Sequence, residues 1–294
     1  MKKVLVFGGA GMIGSRFIKL NSEKFEFNSP SAEEIDILNK DQVLKTIEQF
    51  NPDYMINFAA YTNVEEAENQ KDDKNGVCFK INAIGARNVA EAAKEFKKHH
   101  TFISTEYVFD GKKEQAPYTE EDNPDPINWY GETKFIGEQY VTETEGINLI
   151  MRISMPFSPF YELKKDVARF FLGQLKGGQQ VRAIEDQRIT PTLVDDLSAG
   201  LVALLENSTE GIYNVCSTDS VSPLEFAKTL TEVFKLNYWL ISPLTLDEYN
   251  RSKKAKLLRY SWLNPAKFEK DFGSQILHTV EQGLVIFKEE IDLT

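Results

Sequence analysis

An α/β fold on a doubly wound parallel sheet is what this sequence predicts, and three observations predict it. Short apolar runs of strand length alternate with longer stretches of helical periodicity through the first half. A glycine-rich turn follows the first of those runs directly. The chain has 294 residues, 41% hydrophobic and 27% charged, which excludes a disordered chain and leaves ample material for a buried core.

Residues 3–7, KVLVF, are β-branched and aromatic and read as the first strand; the amphipathic MIGSRFIKL after the glycines reads as the first helix. KFEFNSPS supplies a second strand ending at Asn28 and Ser29. KDQVLKTIEQF and INAIGARNVAEAAKEF carry apolar residues three and four apart, as helices that bury one face require. YMINFAA, HTFIST and NLIMRIS are further strand-length runs. Strand and helix in alternation imply parallel strands covered on both faces, and such sheets bind ligands beyond the carboxyl ends of their strands. After Ile153 the rhythm loosens. MPFSPFYELKKD reads as a loop, VARFFLGQLKGG and VDDLSAGLVALLEN as helices, GIYNVCS as a strand, and the remainder from Pro223 as two or three helices with irregular connections. The expected division is a first domain over residues 1–153, also receiving about 190–215, and a smaller interleaved domain over 154–294.

Charge narrows the partners. Lys and Arg total 34 against 45 Asp and Glu, a net of −11, so nucleic acid and acidic membranes are repelled on average. Cys78 and Cys216 have no CxxC spacing and read as core thiols of a reducing compartment. His99, His100 and His278 form no cluster of metal-ligand spacing, so no metal is expected. The apolar run after Lys2 and Lys3 is too short for a signal peptide, and no window nears the ~18 apolar residues of a membrane span. The expectation is a soluble, cytoplasmic protein.

Chemistry is sought just after each strand. FGGAGMIGSRF sets Gly8, Gly11 and Gly14 between first strand and first helix, where a tight turn and free helix N–H groups suit a dinucleotide pyrophosphate. Ala59 and Ala60 leave room for a flat ring after the third strand, and Thr62 offers a hydroxyl to ribose or phosphate. Ser104 and Thr105 close the fourth strand. Tyr130 stands four residues before Lys134 at a helix start, so the two share a face. A phenol of ordinary pKa ~10 exchanges protons poorly near neutrality, and an ammonium with a cationic nicotinamide would lower that value. Hydride from a nicotinamide and a proton from tyrosine would together reduce a ketone.

GGAGMIG, AAYTNVEEAE, INAIGARNVAEAA, STEYVFDG, YGETKFIGE, EDQRITPT and LNPAKFEKDFG, in this order, resemble the extended short-chain dehydrogenase/reductases and, within them, the dTDP-4-dehydrorhamnose reductase family. The resemblance implies a Rossmann-like sheet with a C-terminal α/β substrate domain. It implies Thr105, Tyr130 and Lys134 as catalytic: carbonyl-binding hydroxyl, acid, and ribose-holding cation that tunes the acid. Gly8, Gly11, Met12, Ile13 and Gly14 would surround the pyrophosphate, Asp36 and Ile37 would flank the adenine, and Ala59, Ala60 and Thr62 would line the nicotinamide side with Tyr130 and Lys134. Glu106 and Met155 join Thr105 on the substrate side, and Asn82 is structural. The implied enzyme is an NAD(P)-dependent oxidoreductase reducing the 4-keto group of a nucleotide-activated 6-deoxysugar, as a monomer or homodimer.

Three positions depart from the family pattern: Glu106 stands for Asp, Met155 for an aromatic, and Leu257 and Leu258 for an Arg–Pro pair, with Arg259 next to them. The cofactor is NADP or NAD, NADPH being favoured; neither acid nor base closes the second strand, and Arg16 reads as a solvated helix residue rather than a 2′-phosphate ligand. Two alternatives stand beside the reductase. One is a redox-neutral sugar-nucleotide epimerase or dehydratase. The other is a non-catalytic subunit resembling the methionine adenosyltransferase regulatory subunit.

Overall fold

A computed structural model describes every residue except Glu162, Lys164 and Thr294. Its strands are β1 (Lys2–Phe7), β2 (Phe25–Asn28), β3 (Tyr54–Asn57), β4 (His99–Thr105), β5 (Asn148–Ile153), β6 (Pro156–Phe157), β7 (Val181–Ile184), β8 (Thr192–Leu193), β9 (Gly211–Asn214) and β10 (Ile241–Leu244). The helices before β5 are α1 (Met12–Asn21), α2 (Lys40–Phe50), α3 (Val64–Ala67), α4 (Val77–Phe79), α5 (Ala86–Glu95) and α6 (Trp129–Glu143). After it come α7 (Val167–Lys176), α8 (Val194–Glu206), α9 (Pro223–Phe234), α10 (Leu246–Asn250), α11 (Ala266–Phe272) and α12 (Val280–Asp292). Two compact units result. One is Met1–Asp110, Asn123–Arg152 and Leu201–Tyr213; the other is Gly111–Asp122, Ile153–Gly200 and Asn214–Thr294.

The first unit is organised by a six-stranded sheet in the order β2-β1-β3-β4-β5-β9. β1 runs parallel to both β2 and β3, with Lys2 opposite Phe25 and Val4 opposite Tyr54, and β3 runs parallel to β4. Val4, Leu5 and Val6 are wholly buried in succession, which happens only when both faces of a strand are covered. Leu5, Phe7 and Met55 pack with Val43 and Ile47 of α2 and Val89 of α5. Phe17 of α1 meets the rings of Phe25, Phe27 and Phe58 at 5.7–6.4 Å. β2 and β3 lie on opposite sides of β1, so the strand order reverses there and opens a crevice at the carboxyl ends of β1 and β3.

The helix expected over INAIGARNVAEAAKEF contains a π-helical turn, Lys80–Gly85, before α5. The widened turn turns Asn82 inward. Its Oδ1 accepts the Tyr61 N–H at 2.8 Å, and its Nδ2 donates to Tyr61 O at 3.2 Å and Thr133 Oγ1 at 3.0 Å. The structural role expected of Asn82 is the one it has.

His100 on β4 is wholly buried. Asn148 spends its Nδ2 on Val141 O and Thr144 Oγ1, so its Oδ1 must accept from His100 Nδ1 at 3.0 Å, which sets a neutral Nδ1–H tautomer. Burial depresses the imidazole pKa to about 4, against the bond to Asn148. Its folded pKa thus lies below its unfolded one. Its stabilising share is complete above about pH 6.5 and is lost as pH falls toward 4, because the unfolded chain gains a proton there that the folded one refuses. Urea midpoints of wild type and His100→Gln, taken between pH 7 and 4, are expected to differ in slope by up to ~3 kcal/mol over the window. Parallel curves would contradict this.

The second unit packs α7, α9 and α12 around Phe157, whose ring lies 5.7 Å from Phe226 and from Phe287. Capping boxes start two of these helices, Ser222 with Glu225 and Thr279 with Gln282. Two expectations are corrected in this unit. The loop read over MPFSPF contains β6, which pairs in parallel with β8. Among its described residues the tail holds four helices, α9 to α12, and a strand, β10, where two or three helices were expected. Pro243 hides that strand from the sequence. Among the described residues β10 pairs only with β7, at the edge of a two-stranded sheet, where a missing N–H is tolerated.

Candidate active site

The glycine turn lies at the crevice. Gly8 has φ 76°, and a Cβ there would stand 2.5 Å from Ala59 N, so the ends of β1 and β3 close on each other only because the side chain is absent. A Cβ on Gly14 would meet Gly8 O and Gly9 Cα at 2.8 Å, so the first turn of α1 packs directly on the loop. Gly11 caps α1 without offering a side-chain acceptor, which leaves the N–H groups of the Met12–Ile13–Gly14 turn for an anion. This cradle of absent side chains before a ten-residue helix fits a dinucleotide pyrophosphate. Gly9, not singled out by the triplet spacing, also lies close to its neighbours: a Cβ there would meet the side chains of Ser29 and Ile18. The adjacent GG pair was the available signal.

The other cofactor-side positions divide. Asp36 is exposed and its carboxylate accepts the Leu38 N–H at 2.9 Å, a local turn. The Ile37 side chain is buried against Gly85, where a Cβ would clash with it at 2.5 Å. Ala59 and Ala60 are half-buried beyond β3, with Ala59 N donating to Asn57 Oδ1 at 3.1 Å, and Thr62 is exposed. Arg16 corrects its expectation. It is 6% exposed and hence no solvated residue, because it stands on the inward side of α1 next to Phe17.

α6 carries the tyrosine and lysine, and its start is fixed in place. Asn128 Oδ1 accepts the Gly131 N–H at 2.9 Å as helix cap. Gly131 must be glycine, since a Cβ would lie 2.1 Å from Tyr107 O in the turn after β4. Gly137 likewise leaves space for Asn82 O at 2.4 Å. The YG and IG pairs of YGETKFIGE thus let α6 press on β4 and the π-turn, bringing Tyr130 against Thr105.

Thr105 is saturated. Its hydroxyl donates to Glu106 Oε2 at 2.7 Å, accepts the Tyr107 N–H at 3.3 Å, and hydrogen-bonds to Tyr130. Burial, then the Glu106 charge, pushes the Tyr130 phenol above its ordinary pKa, the bond to Thr105 opposing. The lowering anticipated from sequence is therefore not supplied by these side chains, because Lys134 turns elsewhere. Its Nζ donates to Ile103 O at 2.6 Å and lies 3.9 Å over the Phe102 ring. Burial draws Lys134 down to about 7, against the Glu138 charge. A phenol that holds its proton at neutral pH is a competent donor to a developing alkoxide.

Of the positions that depart from the family pattern, Met155, Leu257 and Leu258 belong to the second unit. Met155 is in the left-handed region at φ 37°, a strained setting for an unbranched side chain. Leu258 is buried against Gly111, and Leu257 N donates to Asn250 Oδ1 at 3.0 Å. Arg259, considered as a replacement for the lost arginine, is committed to Asp186 and, at 2.8 Å, to Asp247. Among the described residues no three His, Cys, Asp or Glu side chains gather as a metal site, and no helix is long and apolar enough to cross a membrane.

A parallel sheet whose order reverses at a glycine turn defines a Rossmann-type nucleotide-binding fold. The chain belongs to the family described as RmlD substrate binding domain, whose model matches residues 1–289. It is 31% identical over 254 residues to the spore coat polysaccharide biosynthesis protein SpsK of Bacillus subtilis (strain 168), covering 85% of each chain. It is 29% identical over 288 residues to the dTDP-4-dehydrorhamnose reductase of Aggregatibacter actinomycetemcomitans, covering 94% of this chain and 95% of that one. Among solved structures, the dTDP-4-dehydrorhamnose reductase of Bacillus anthracis str. Ames in complex with NADP superposes with a TM-score of 0.89 at 31% identity. That match spans 99% of this chain and 100% of the other. These likenesses agree with the family resemblance carried by GGAGMIG, STEYVFDG and YGETKFIGE.

Proposed function

We propose that the protein is an NAD(P)H-dependent oxidoreductase that reduces the 4-keto group of a nucleotide-activated 6-deoxysugar. The observation that carries the reading is the hydrogen-bonded Thr105–Tyr130 pair with Lys134 one turn on, in the same unit as the glycine cradle. Relatives and a solved NADP complex named for dTDP-4-dehydrorhamnose reduction support the substrate class and favour NADPH. When bound, the nicotinamide supplies the hydride.

The chain's own residues do the rest. The N–H groups of the Met12–Ile13–Gly14 turn and the α1 dipole hold the pyrophosphate. Lys134 Nζ has donors beyond the one given to Ile103 O and offers them to the ribose. Thr105 turns its hydroxyl proton from Glu106 to the substrate carbonyl oxygen and so orients it, and Tyr130 passes its phenolic proton to that oxygen as it becomes an alkoxide. Glu106, released by Thr105, would accept from a sugar hydroxyl. Both cysteines are buried thiols, which suits the reducing cytoplasm.

The test is stoichiometric. With a dTDP-4-dehydro-6-deoxysugar, NADPH should be consumed one for one with sugar reduced. Turnover of the sugar without net loss of NADPH would favour a redox-neutral epimerase or dehydratase instead.

A further inference from the structure

We propose that Glu138, clamped by Arg152, is a positioning residue whose carboxylate keeps the buried Lys134 in its ammonium form at the active site. This rests on the reading of Lys134 as an active-site cation.

Tyr130, Lys134 and Glu138 occupy successive turns of α6, four residues apart, so their side chains share one helix face. Lys134 and Glu138 are only 2% and 3% exposed, so little water screens one from the other. Glu138 is not free to swing away. Arg152 of β5 binds it with both arms, Nε to Oε1 at 2.9 Å and Nη2 to Oε2 at 2.6 Å. The guanidinium is itself stacked 5.1 Å from the centre of the Phe109 ring. Lys134 is anchored on the neighbouring strand, by Ile103 O.

An ammonium in such a place needs an opposing charge, since burial alone favours its neutral form. The titratable groups that act on Lys134 are Glu138 from its own helix and Cys78 from α4, with Tyr130 one turn before it. Burial raises the Cys78 thiol, and the Tyr130 phenol is raised likewise, so both are neutral near pH 7. The stabilising charge is therefore that of Glu138. Arg152 does two opposed things: it fixes the carboxylate in place and draws off part of its field.

Two substitutions that break the same ion pair consequently act oppositely on Lys134. The full chain, labelled at lysine Cε with ¹³C, is titrated by NMR, with the Lys134 signal assigned from Lys134→Arg. Glu138→Gln should lower the Lys134 midpoint by about one pH unit or more. Arg152→Met, which leaves the carboxylate to Lys134 alone, should raise it. A purely structural pair would destabilise the fold in both variants and move the midpoint in neither, or in the same direction in both; either result overturns the proposal. If Arg152→Met fails to fold, Glu138→Gln decides alone, because its amide oxygen still accepts one guanidinium N–H; an unmoved midpoint overturns the proposal. The alkaline limb of kcat/KM should follow the NMR midpoint. Midpoints that move as expected while that limb stays fixed uphold the coupling and refute instead the assignment of Lys134 to the reaction.

Discussion

Tyr130→Phe is expected to lower kcat/KM by roughly 10²–10⁴-fold, the range a positioned general acid supplies, while NADPH binding changes little. The phenyl ring keeps the T-shaped contact with Tyr107, 5.6 Å between centroids, so the helix start is preserved and the hydroxyl alone is removed. Water is a poor substitute, because Tyr130 is 9% exposed and its neighbours Thr105 and Glu106 are buried. Single-turnover reduction with NADPH affinity measured separately makes the check. Wild-type kcat in the variant would remove Tyr130 from the proton path.

Arg152→Met is expected to cost about 3–5 kcal/mol of folding stability. The loss comes less from the attraction forgone than from the buried Glu138 carboxylate left without its guanidinium partner. Removing both partners should therefore cost less than removing one: Glu138→Leu with Arg152→Met is expected to be more stable than Arg152→Met alone. Urea unfolding of the four members of this cycle gives the coupling. A single-variant loss below about 1 kcal/mol would mean that water reaches the pair after all.

The fold was largely legible because β1 and β3 carry unbroken apolar runs, VLVF and YMI, and because Gly8, Gly11 and Gly14 sit where strand becomes helix. Spacing also marked Tyr130 and Lys134. What spacing could not show is direction. Arg16 and Glu138 are charged residues on helices, and the ordinary fate of such residues is water; only packing reveals that both point inward. Glu138 did leave a trace. It lies four residues after Lys134, and LIMRIS places an arginine inside an otherwise buried strand, where it requires a carboxylate partner. Strand β10 was illegible for the opposite reason: it is four residues long, carries Pro243 and buries little, so neither periodicity nor propensity marks it. The direction of the Tyr130 shift was likewise beyond the sequence, since it depends on how completely the phenol is desolvated and on Glu106 lying beside it.

The central claim, that this chain moves hydride from a nicotinamide to a sugar carbonyl and a proton from Tyr130 to its oxygen, is tested most directly by isotope transfer. NADPH carrying deuterium at the transferable C4 position is incubated with a dTDP-4-dehydro-6-deoxysugar, and the product is read by mass and NMR. One deuterium on sugar C4 for each NADPH oxidised is expected, with the same stoichiometry but a roughly 10²–10⁴-fold lower rate in Tyr130→Phe. A sugar that turns over with no deuterium at C4 would contradict it.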